Sequence, residues 1–332
     1  MLILQQKPYF LIILLLRITL LFLLGWYLFC LLVPTGSGSV VRDVYFQPGS
    51  SIKKLAAELE SAGIIRCSSH FVLAGRLRGQ AHRLQAGYYR VNDSMTTGEI
   101  LRKIVSGDVD FRRFTLPEGY SIYQAAELLD QQGHFKKAAF LDACRSTELL
   151  SRLKISASSA EGYLFPATYN LPHQFSEEQL VALMVEKFEK EFAALETGVK
   201  KGGFSRHEIL TLASMIEKEA VTSDEKPLIA SVFHNRLRIG MPLQSDPTAV
   251  YGVRAFAGKV SKADILRSSP YNTYHIKGLP PGPIGNPGRE ALQAALHPAE
   301  SGFLYFVARK NGTHQFSRSL DEHNRAVARY LR

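Results

Sequence analysis

The order of apolar and polar positions divides the chain into an apolar N-terminal stretch and a longer part of mixed character. The stretch from Tyr9 to Val33 is almost wholly apolar and is interrupted by Arg17. About 25 residues are enough to cross a hydrocarbon core of roughly 30 Å. Arg17 lies in the N-terminal half, where its long side chain can reach the headgroups. The pattern predicts one transmembrane helix.

A cleaved signal peptide is the alternative to a membrane anchor. The apolar stretch is long for a signal peptide, and no small-x-small cleavage site precedes Pro34. The first 40 positions contain Lys7 and Arg17 but no acidic residue, which predicts a cytoplasmic N-terminus. We therefore expect residues 1–33 to form a cytoplasmic tip and a single span of the inner (cytoplasmic) membrane. The remainder would be periplasmic. Residues 34–41 would form a linker, in which the Gly- and Ser-rich stretch 34–39 is a flexible tether.

Residues 42–108 show the pattern of a small module. A strand is predicted near residues 41–46 and a second near 87–91, and two helices are predicted between them. A further helix at 98–105 follows a Ser/Thr-rich cap. This strand–helix–helix–strand order resembles a LysM-type module, a small fold that binds glycan chains. Sugar binding by residues 42–108 is thus an expectation from the resemblance.

An internal repeat links this module to the segment that follows it. The strand, turn and helix start near residue 46 resemble those near residue 116. The matching positions are Gly49 with Gly119, Ser51 with Ser121, and Gly63 with Gly133. The repeat indicates one strand–helix unit that is used twice.

Residues 109–332 read as a helix-rich domain with small sheets. Helices are predicted at 140–153, 178–197, 205–220, 226–237, 289–296 and 320–331. A buried strand at 303–308 has a hairpin partner at 312–317. The Gly/Pro-rich segment 278–288 is a long irregular loop of the kind that usually serves function. The fold class that we expect is α+β.

Composition and net charge indicate which kinds of binding partner the chain is expected to have. The chain has 332 residues, enough for two modest domains and an anchor. Its net charge of +10 suits an anionic partner such as a membrane surface or cell wall. No Lys/Arg run with interleaved aromatic residues is present, so nucleic acid is not an expected partner. Of three cysteines, Cys67 and Cys144 could pair, although free buried thiols fit equally well.

The sequence carries none of the common motifs for nucleotides or metals. It contains no phosphate-binding glycine loop, no H-E-x-x-H, no C-x-x-C and no G-x-S-x-G. The ten histidines are scattered along the chain. We therefore expect no cofactor and no metal, although His314 and His323 could line a cleft.

The helix that begins near Ser205 ends in two glutamates, Glu217 and Glu219. Two positions along a helix turn a side chain by roughly 200°, so the two carboxylates point to different sides. They cannot form an acid/base pair in one cleft. Either this run is a solvated helix end, or one glutamate acts alone.

Several motifs together resemble the YceG-like family of endolytic murein transglycosylases. They occur in one order along the chain: Glu161–Pro166, Ala213–Glu219, Asn235–Leu237, Leu243–Thr248, Tyr271–Tyr274, Gly278–Ile284, Leu304–Val307 and His314–Phe316. The resemblance extends from the anchor to the C-terminus, which makes residues 109–332 the YceG-like catalytic domain. It implies cleavage of the MurNAc–GlcNAc β-1,4 bond of nascent peptidoglycan strands, leaving 1,6-anhydro ends. Such cuts would terminate elongation of the strands.

The resemblance also assigns roles to residues. It favours Glu219 as the catalytic acid/base, because related enzymes place this glutamate at a helix end before a small residue. Glu217 is then a supporting residue or the alternative catalyst. The candidate substrate-binding residues, for each of which a purely structural loop role is the alternative, are Gln244, Asp246, Thr248, Asn272 and Tyr274. Implied partners are glycan strands and cell-wall synthases, and the rival hypothesis is a non-catalytic peptidoglycan-binding scaffold.

Overall fold

The structure, a computed structural model, describes residues 7–109, 111–133, 135–172, 175–196, 203–253 and 260–331. The chain separates into two compact units, with the boundary between Arg112 and Arg113 and a short return to the first unit at Pro172. Each unit buries its own hydrophobic core. The observed fold is mixed α+β and rich in helices, as predicted.

The first unit contains one long helix and a small α/β module. Its elements are α1 (Lys7–Leu32), β1 (Val41–Phe46), α2 (Ile52–Ser61), α3 (Ser68–Leu77), β2 (Gly87–Asn92) and α4 (Thr97–Ser106). The two strands pair antiparallel from Val41 opposite Asn92 to Phe46 opposite Gly87. Fully buried Phe71 and Tyr89 lie in the core between sheet and helices. The predicted strand–helix–helix–strand order is confirmed, while its identity as a LysM-type module stays a prediction.

Helix α1 contains the predicted membrane span. Its segment Leu11–Leu32 is 22 residues long and apolar enough to cross a bilayer. The side chains along most of it are exposed in the absence of lipid. These properties are consistent with single-pass anchoring.

The segment after α1, predicted as a linker, makes defined hydrogen bonds to the module. Thr35 Oγ1 donates to the carbonyl of Ile64 at 2.9 Å, and Gly36 N donates to the carbonyl of Asp93 at 2.7 Å. The Asp93 carboxylate accepts from the N–H groups of Gly38 and Val40. Gly36 lets the backbone pass close to Asp93, because a Cβ at this position would lie 1.9 Å from Asp93 Oδ2.

The second unit consists mostly of helices. Its elements are β3 (Arg112–Thr115), α5 (Ile122–Gln131), α6 (Lys137–Arg145), α7 (Thr147–Arg152), β4 (Thr168–Leu171), α8 (Glu177–Glu196), α9 (Arg206–Glu219), α10 (Lys226–Arg238), α11 (Asp246–Val250), α12 (Lys262–Leu266), α13 (Arg289–Leu296), β5 (Tyr305–Ala308), β6 (His314–Ser317) and α14 (Leu320–Tyr330). The described strands form two-stranded pairs β3–β4 and β5–β6. The β5–β6 pair is the predicted hairpin, with Tyr305 opposite Ser317. Its first strand is shorter than predicted and only partly buried.

The internal repeat is visible in local geometry. Helices α2 and α5 both follow a left-handed turn glycine, and Ser51 and Ser121 cap them by accepting a backbone N–H. A third serine accounts for one wrong prediction. Ser146 ends α6 in an extended conformation and caps α7 by accepting from Leu149 N, so the helix predicted at 140–153 is two helices.

Candidate active site

Helix α9 is the element on which the site is built. Ser205 and Glu208 form a capping box at its start, and Ala220 leaves the helical conformation directly after Glu219. Every residue from 209 to 216 is buried, since α10, α11 and α13 pack around the helix. The predicted start and end of this helix are confirmed to within one residue. A buried helix of this kind holds the side chains at its end in fixed positions.

Glu217 points into a buried ion pair. Its Oε1 lies 3.1 Å from Lys226 Nζ, and its Oε2 accepts a hydrogen bond from Gly288 N at 2.9 Å. Both charged side chains are almost fully buried. Glu217 therefore joins α9 to α10 and to the Gly/Pro loop, and its carboxylate is already occupied by protein partners.

Glu219 points to the opposite side, where it lines a cavity of about 560 Å³. Ser245 Oγ donates a hydrogen bond of 2.5 Å to Glu219 Oε1. Other polar and aromatic lining residues are Arg236, Gln244, Asp246, Tyr274, Tyr305, His314, His323 and Asn324. The predicted divergence of the two carboxylates is confirmed, and only Glu219 opens onto this cavity.

The environment of Glu219 favours its protonated form. Burial raises the pKa of Glu219 to about 7. The hydrogen bond from Ser245 and the charge of Arg236 act to lower this pKa, and the neighbouring Asp246 acts to raise it. A carboxyl group that titrates near neutrality can both donate and accept a proton at physiological pH.

Arg236 supplies a fixed positive charge beside Glu219. Its Nε donates to the carbonyl of Leu304 at 2.7 Å, and its Nη1 donates to the carbonyl of Leu243 at 2.8 Å. The guanidinium lies over the Tyr305 ring, 5.3 Å from its centre. These contacts connect α10 to the cavity wall and keep the charge in place.

Three of the five predicted substrate-binding residues meet at the cavity. Tyr274 Oη donates a 2.7 Å hydrogen bond to Asp246 Oδ1, and both residues line the cavity with Gln244. Gln244 has a φ of +50°, a left-handed conformation that is rare for a residue with a side chain. Such outliers cluster at functional sites.

The structure places the other two, Thr248 and Asn272, away from the cavity lining. Thr248 Oγ1 donates to the carbonyl of Ser245, and Asn272 Nδ2 donates to the carbonyls of Ile265 and Arg267. Both side chains are fully buried. Their hydrogen bonds go to the loops themselves, as in the structural alternative, and direct glycan contact by these two residues stays a prediction.

His314 and His323 both line the cavity, as the sequence suggested. His314 Nδ1 lies 2.8 Å from Glu225 Oε2, and the same carboxylate accepts from His314 N. His323 stacks on Tyr305 with ring centres 5.2 Å apart. Burial lowers the pKa of His323, which keeps this ring neutral near pH 7.

Ser245 and Arg236 were not identified as site residues from the sequence. Each stands inside a quoted motif, but a serine before Asp246 and an arginine in a helix are unremarkable by themselves. Their roles depend on contacts with residues at distant chain positions, such as Glu219 and Leu304. No pattern of spacing within one element would reveal these contacts.

A second carboxyl group with a raised pKa lies elsewhere in the unit. Burial raises the pKa of Glu161 to about 7. Its oxygens accept from Ile122 N at 3.1 Å and from Tyr251 Oη at 2.9 Å. Glu161 does not line the cavity, and its hydrogen bonds hold α5 against the loop after α11. Its altered pKa therefore reflects a structural role.

Comparisons of the sequence and the fold with known proteins find clear relatives. The sequence model described as "YceG-like family" matches residues 44–329. An endolytic murein transglycosylase of Bacillus subtilis (strain 168) is 34% identical over 306 residues, covering 87% of this chain and 84% of that protein. One from Streptococcus pneumoniae serotype 2 is 31% identical over 315 residues, covering 85% of this chain but 57% of that longer protein. The crystal structure of a putative YceG-like protein from Listeria monocytogenes is similar, with a TM-score of 0.61, 35% identity, and coverage of 87% of this chain and 100% of that chain.

Proposed function

Because this chain belongs to the YceG-like family, we propose that it is a membrane-anchored endolytic murein transglycosylase. The bond cut would be the β-1,4 bond between MurNAc and GlcNAc in nascent peptidoglycan strands. The product would carry a 1,6-anhydroMurNAc end, and the cut would terminate elongation of the strand. Similarity over most of the chain to relatives with this name supports the proposal.

One observation carries the assignment of the catalyst. Glu219 opens onto the cavity with a pKa of about 7, whereas Glu217 is held by Lys226 and Gly288. Glu219 is therefore the acid/base of the proposal, and Glu217 is the supporting residue.

The proposed reaction needs one carboxyl group and no water. Protonated Glu219 donates its proton to the glycosidic oxygen as the bond between this oxygen and the anomeric carbon breaks. The C6 hydroxyl of the same MurNAc attacks the anomeric carbon, and the Glu219 carboxylate removes the proton of this hydroxyl. Arg236 and Ser245 stabilise the carboxylate between the two transfers. Glu219 ends protonated, as it began.

The other cavity residues suit the binding of a sugar. Gln244, Asp246 and Tyr274 offer an amide, a carboxylate and a hydroxyl to sugar hydroxyl groups, and Tyr305 adds an aromatic ring. Thr248 and Asn272 contribute indirectly, because they shape the loops that carry these groups. No cofactor takes part in the proposed step.

Asp246 makes hydrolysis the second candidate reaction. It is a second carboxylate on the same cavity, and glycoside hydrolases use two carboxylates, one to activate water or to attack the sugar. Hydrolysis would leave reducing ends. The chemistry of the new chain ends therefore distinguishes the two reactions.

The proposed location follows from α1. The N-terminus would be cytoplasmic, the span would lie in the inner (cytoplasmic) membrane, and the catalytic unit would be periplasmic. The positive charges of the first 40 residues and the absence of acidic ones there support this orientation. Nascent strands are made at that surface, so cell-wall synthases are the proposed protein partners.

The test is a digest of uncrosslinked nascent peptidoglycan with the full chain in detergent, followed by mass analysis of chain ends. The full chain is used because residues 34–41 contribute hydrogen bonds to the module. Wild type is compared with Glu219→Gln, Glu217→Gln and Asp246→Asn. We expect anhydro ends from wild type and none from Glu219→Gln, while a folded Glu217→Gln retains cleavage.

Other results would change the proposal in defined ways. Reducing ends that disappear with Asp246→Asn would indicate a hydrolase. Cleavage by Glu219→Gln at the wild-type rate would remove Glu219 as the catalyst. Glycan binding without cleavage by wild type would favour the non-catalytic scaffold.

A further inference from the structure

We infer that α3 contacts the membrane, with its Leu73 and Leu77 side chains in the membrane interface. Arg76 of α3 and Lys53 of the neighbouring α2 then lie against anionic lipid headgroups. The surface concerned belongs to the first unit and is separate from the candidate active site. The inference rests on α1 as a membrane span and is independent of the reaction proposed for the second unit.

The membrane boundary lies near the C-terminal end of α1. The apolar segment Leu11–Leu32 has 22 residues and is therefore about 33 Å long, close to the roughly 30 Å of a hydrocarbon core. Trp26 and Tyr27 lie close to its end, and both residue types concentrate at membrane–water interfaces. The interface on this side is thus at the level of residues 26–32.

Helix α3 runs toward that boundary. Arg66, just before α3, donates to the carbonyl of Pro34 at 2.6 Å and lies over the Phe29 ring. One turn later, the His70 ring meets the Tyr27 ring with centres 5.4 Å apart. Arg66 contacts Pro34 and Phe29, whereas His70 contacts Tyr27, so α3 runs antiparallel to the end of α1. The residues after His70 therefore lie at the membrane interface or on its hydrocarbon side.

The surface of α3 beyond His70 suits lipid. Leu73 and Leu77 are 44% and 72% exposed, and their spacing of four residues puts them on one face of the helix. Beside them is a groove of about 470 Å³ between α2 and α3, lined by Lys53, Ser68, Ser69, Val72, Leu73 and Arg76. Neither Lys53 nor Arg76 has a carboxylate partner among the residues that the structure describes. Exposed leucines flanked by unpaired cations are typical of an interfacial helix on an anionic membrane.

The test measures the depth of single tryptophans in the full chain, reconstituted in phosphatidylglycerol/phosphatidylcholine vesicles with acyl chains brominated near the headgroup. Trp26→Phe removes the one native tryptophan, and Leu77→Trp or Leu73→Trp then introduces a probe. The control is Tyr45→Trp, an exposed position near the end of β1, the strand that begins at Val41. We expect bromine to quench the probes on α3 and to leave Tyr45→Trp emission unchanged.

A second arm tests the headgroup contact. Lys53→Gln with Arg76→Gln should reduce the quenching of Leu77→Trp in the anionic vesicles and leave it unchanged in pure phosphatidylcholine. Equal quenching at positions 45, 73 and 77, or none at 73 and 77, would overturn membrane contact by α3. Absence of quenching in the vesicles, together with a change in Leu73→Trp emission when soluble glycan chains are added, would identify the groove as a sugar site and would also overturn the inference.

Discussion

At the scale of single residues, the site depends on the different surroundings of two glutamates two positions apart. Glu217 has a buried cation and a backbone N–H as partners, and Glu219 has a serine hydroxyl and an open cavity. The same side chain therefore has a structural role at one position and is suited to proton transfer at the other. Two predictions test this difference.

The first prediction concerns the pH dependence of cleavage. Because Glu219 must carry a proton to act as the acid, kcat should fall as the pH rises through about 7. The hydrogen bond from Ser245 stabilises the ionised form, so Ser245→Ala should move this fall to higher pH. Ser245→Thr keeps a hydroxyl group and should behave like wild type. A pH–rate profile that is the same for wild type and Ser245→Ala would contradict the assigned role.

The second prediction concerns stability. The pKa of Glu219 is raised from 4.5 to about 7 in the folded state, so its contribution to stability is fully present below pH 4.5 and is lost as the pH rises through 7. Glu219→Gln removes this loss, since an amide does not ionise. We expect the variant to be more stable than wild type by about 1–3 kcal/mol at pH 8 and to show little gain at pH 4.5. Thermal unfolding at the two pH values measures the difference, and an equal gain at both would refute it.

At the scale of elements, α9 is fixed by one buried ion pair as well as by its apolar faces. Lys226, near the start of α10, meets Glu217 near the end of α9. Glu118 and Glu290 also lie within 4 Å of the Lys226 ammonium group, at 3.8 and 3.7 Å. The pair therefore holds together the elements that position Glu219.

The third prediction follows from this pair. Lys226→Met leaves Glu217 buried without its cation and should lower the free energy of unfolding by about 3–5 kcal/mol. Adding Glu217→Gln removes the uncompensated charge, so the double variant should recover a large part of this loss. Denaturant unfolding of the two single variants and the double variant forms a double-mutant cycle. Additive losses in the cycle would show that the two residues do not act as a pair.

At the scale of the whole molecule, the anchor and the module form one unit. Thr35 and Gly36 bond to the module directly after α1, and Thr97 Oγ1 donates to the carbonyl of Cys30. A chain segment with the composition of a flexible linker therefore joins α1 to the module through defined hydrogen bonds.

The fourth prediction tests this junction. Gly36→Val would place a side chain where Asp93 Oδ2 lies, so the segment must move away from the module. We expect faster proteolysis within residues 34–41 and a lower unfolding temperature than in wild type. Ser37→Ala is the matched control, since the Ser37 side chain is exposed. Equal cleavage rates in the two variants would show that the contacts of Gly36 do not order the segment.

The local pattern of apolar positions was sufficient for the longer helices but not for every boundary or for the short elements β4, α11 and α12. Helices α9, α13 and α14 were predicted to within a residue or two, because an apolar face repeats along each of them. The break at Ser146 was missed, since a serine inside an apolar pattern does not reveal whether its hydroxyl caps a new helix. The hydrogen bonds of residues 34–41 to the module could not be predicted either, because glycine permits close approach as well as flexibility.

The sequence by itself determined the apolar span, most of the longer helices, the hairpin of β5 and β6, and the opposite directions of Glu217 and Glu219. These properties depend on neighbours within a few positions, which helical and strand periodicity fix. Only the tertiary structure decided which glutamate opens onto a cavity and which of the polar loop residues accompany it. Ser245 lies 26 positions after Glu219, and the contacts of Thr248 and Asn272 likewise join separate loops. Burial, and with it the raised pKa of Glu219, arises from chain segments that meet only on folding.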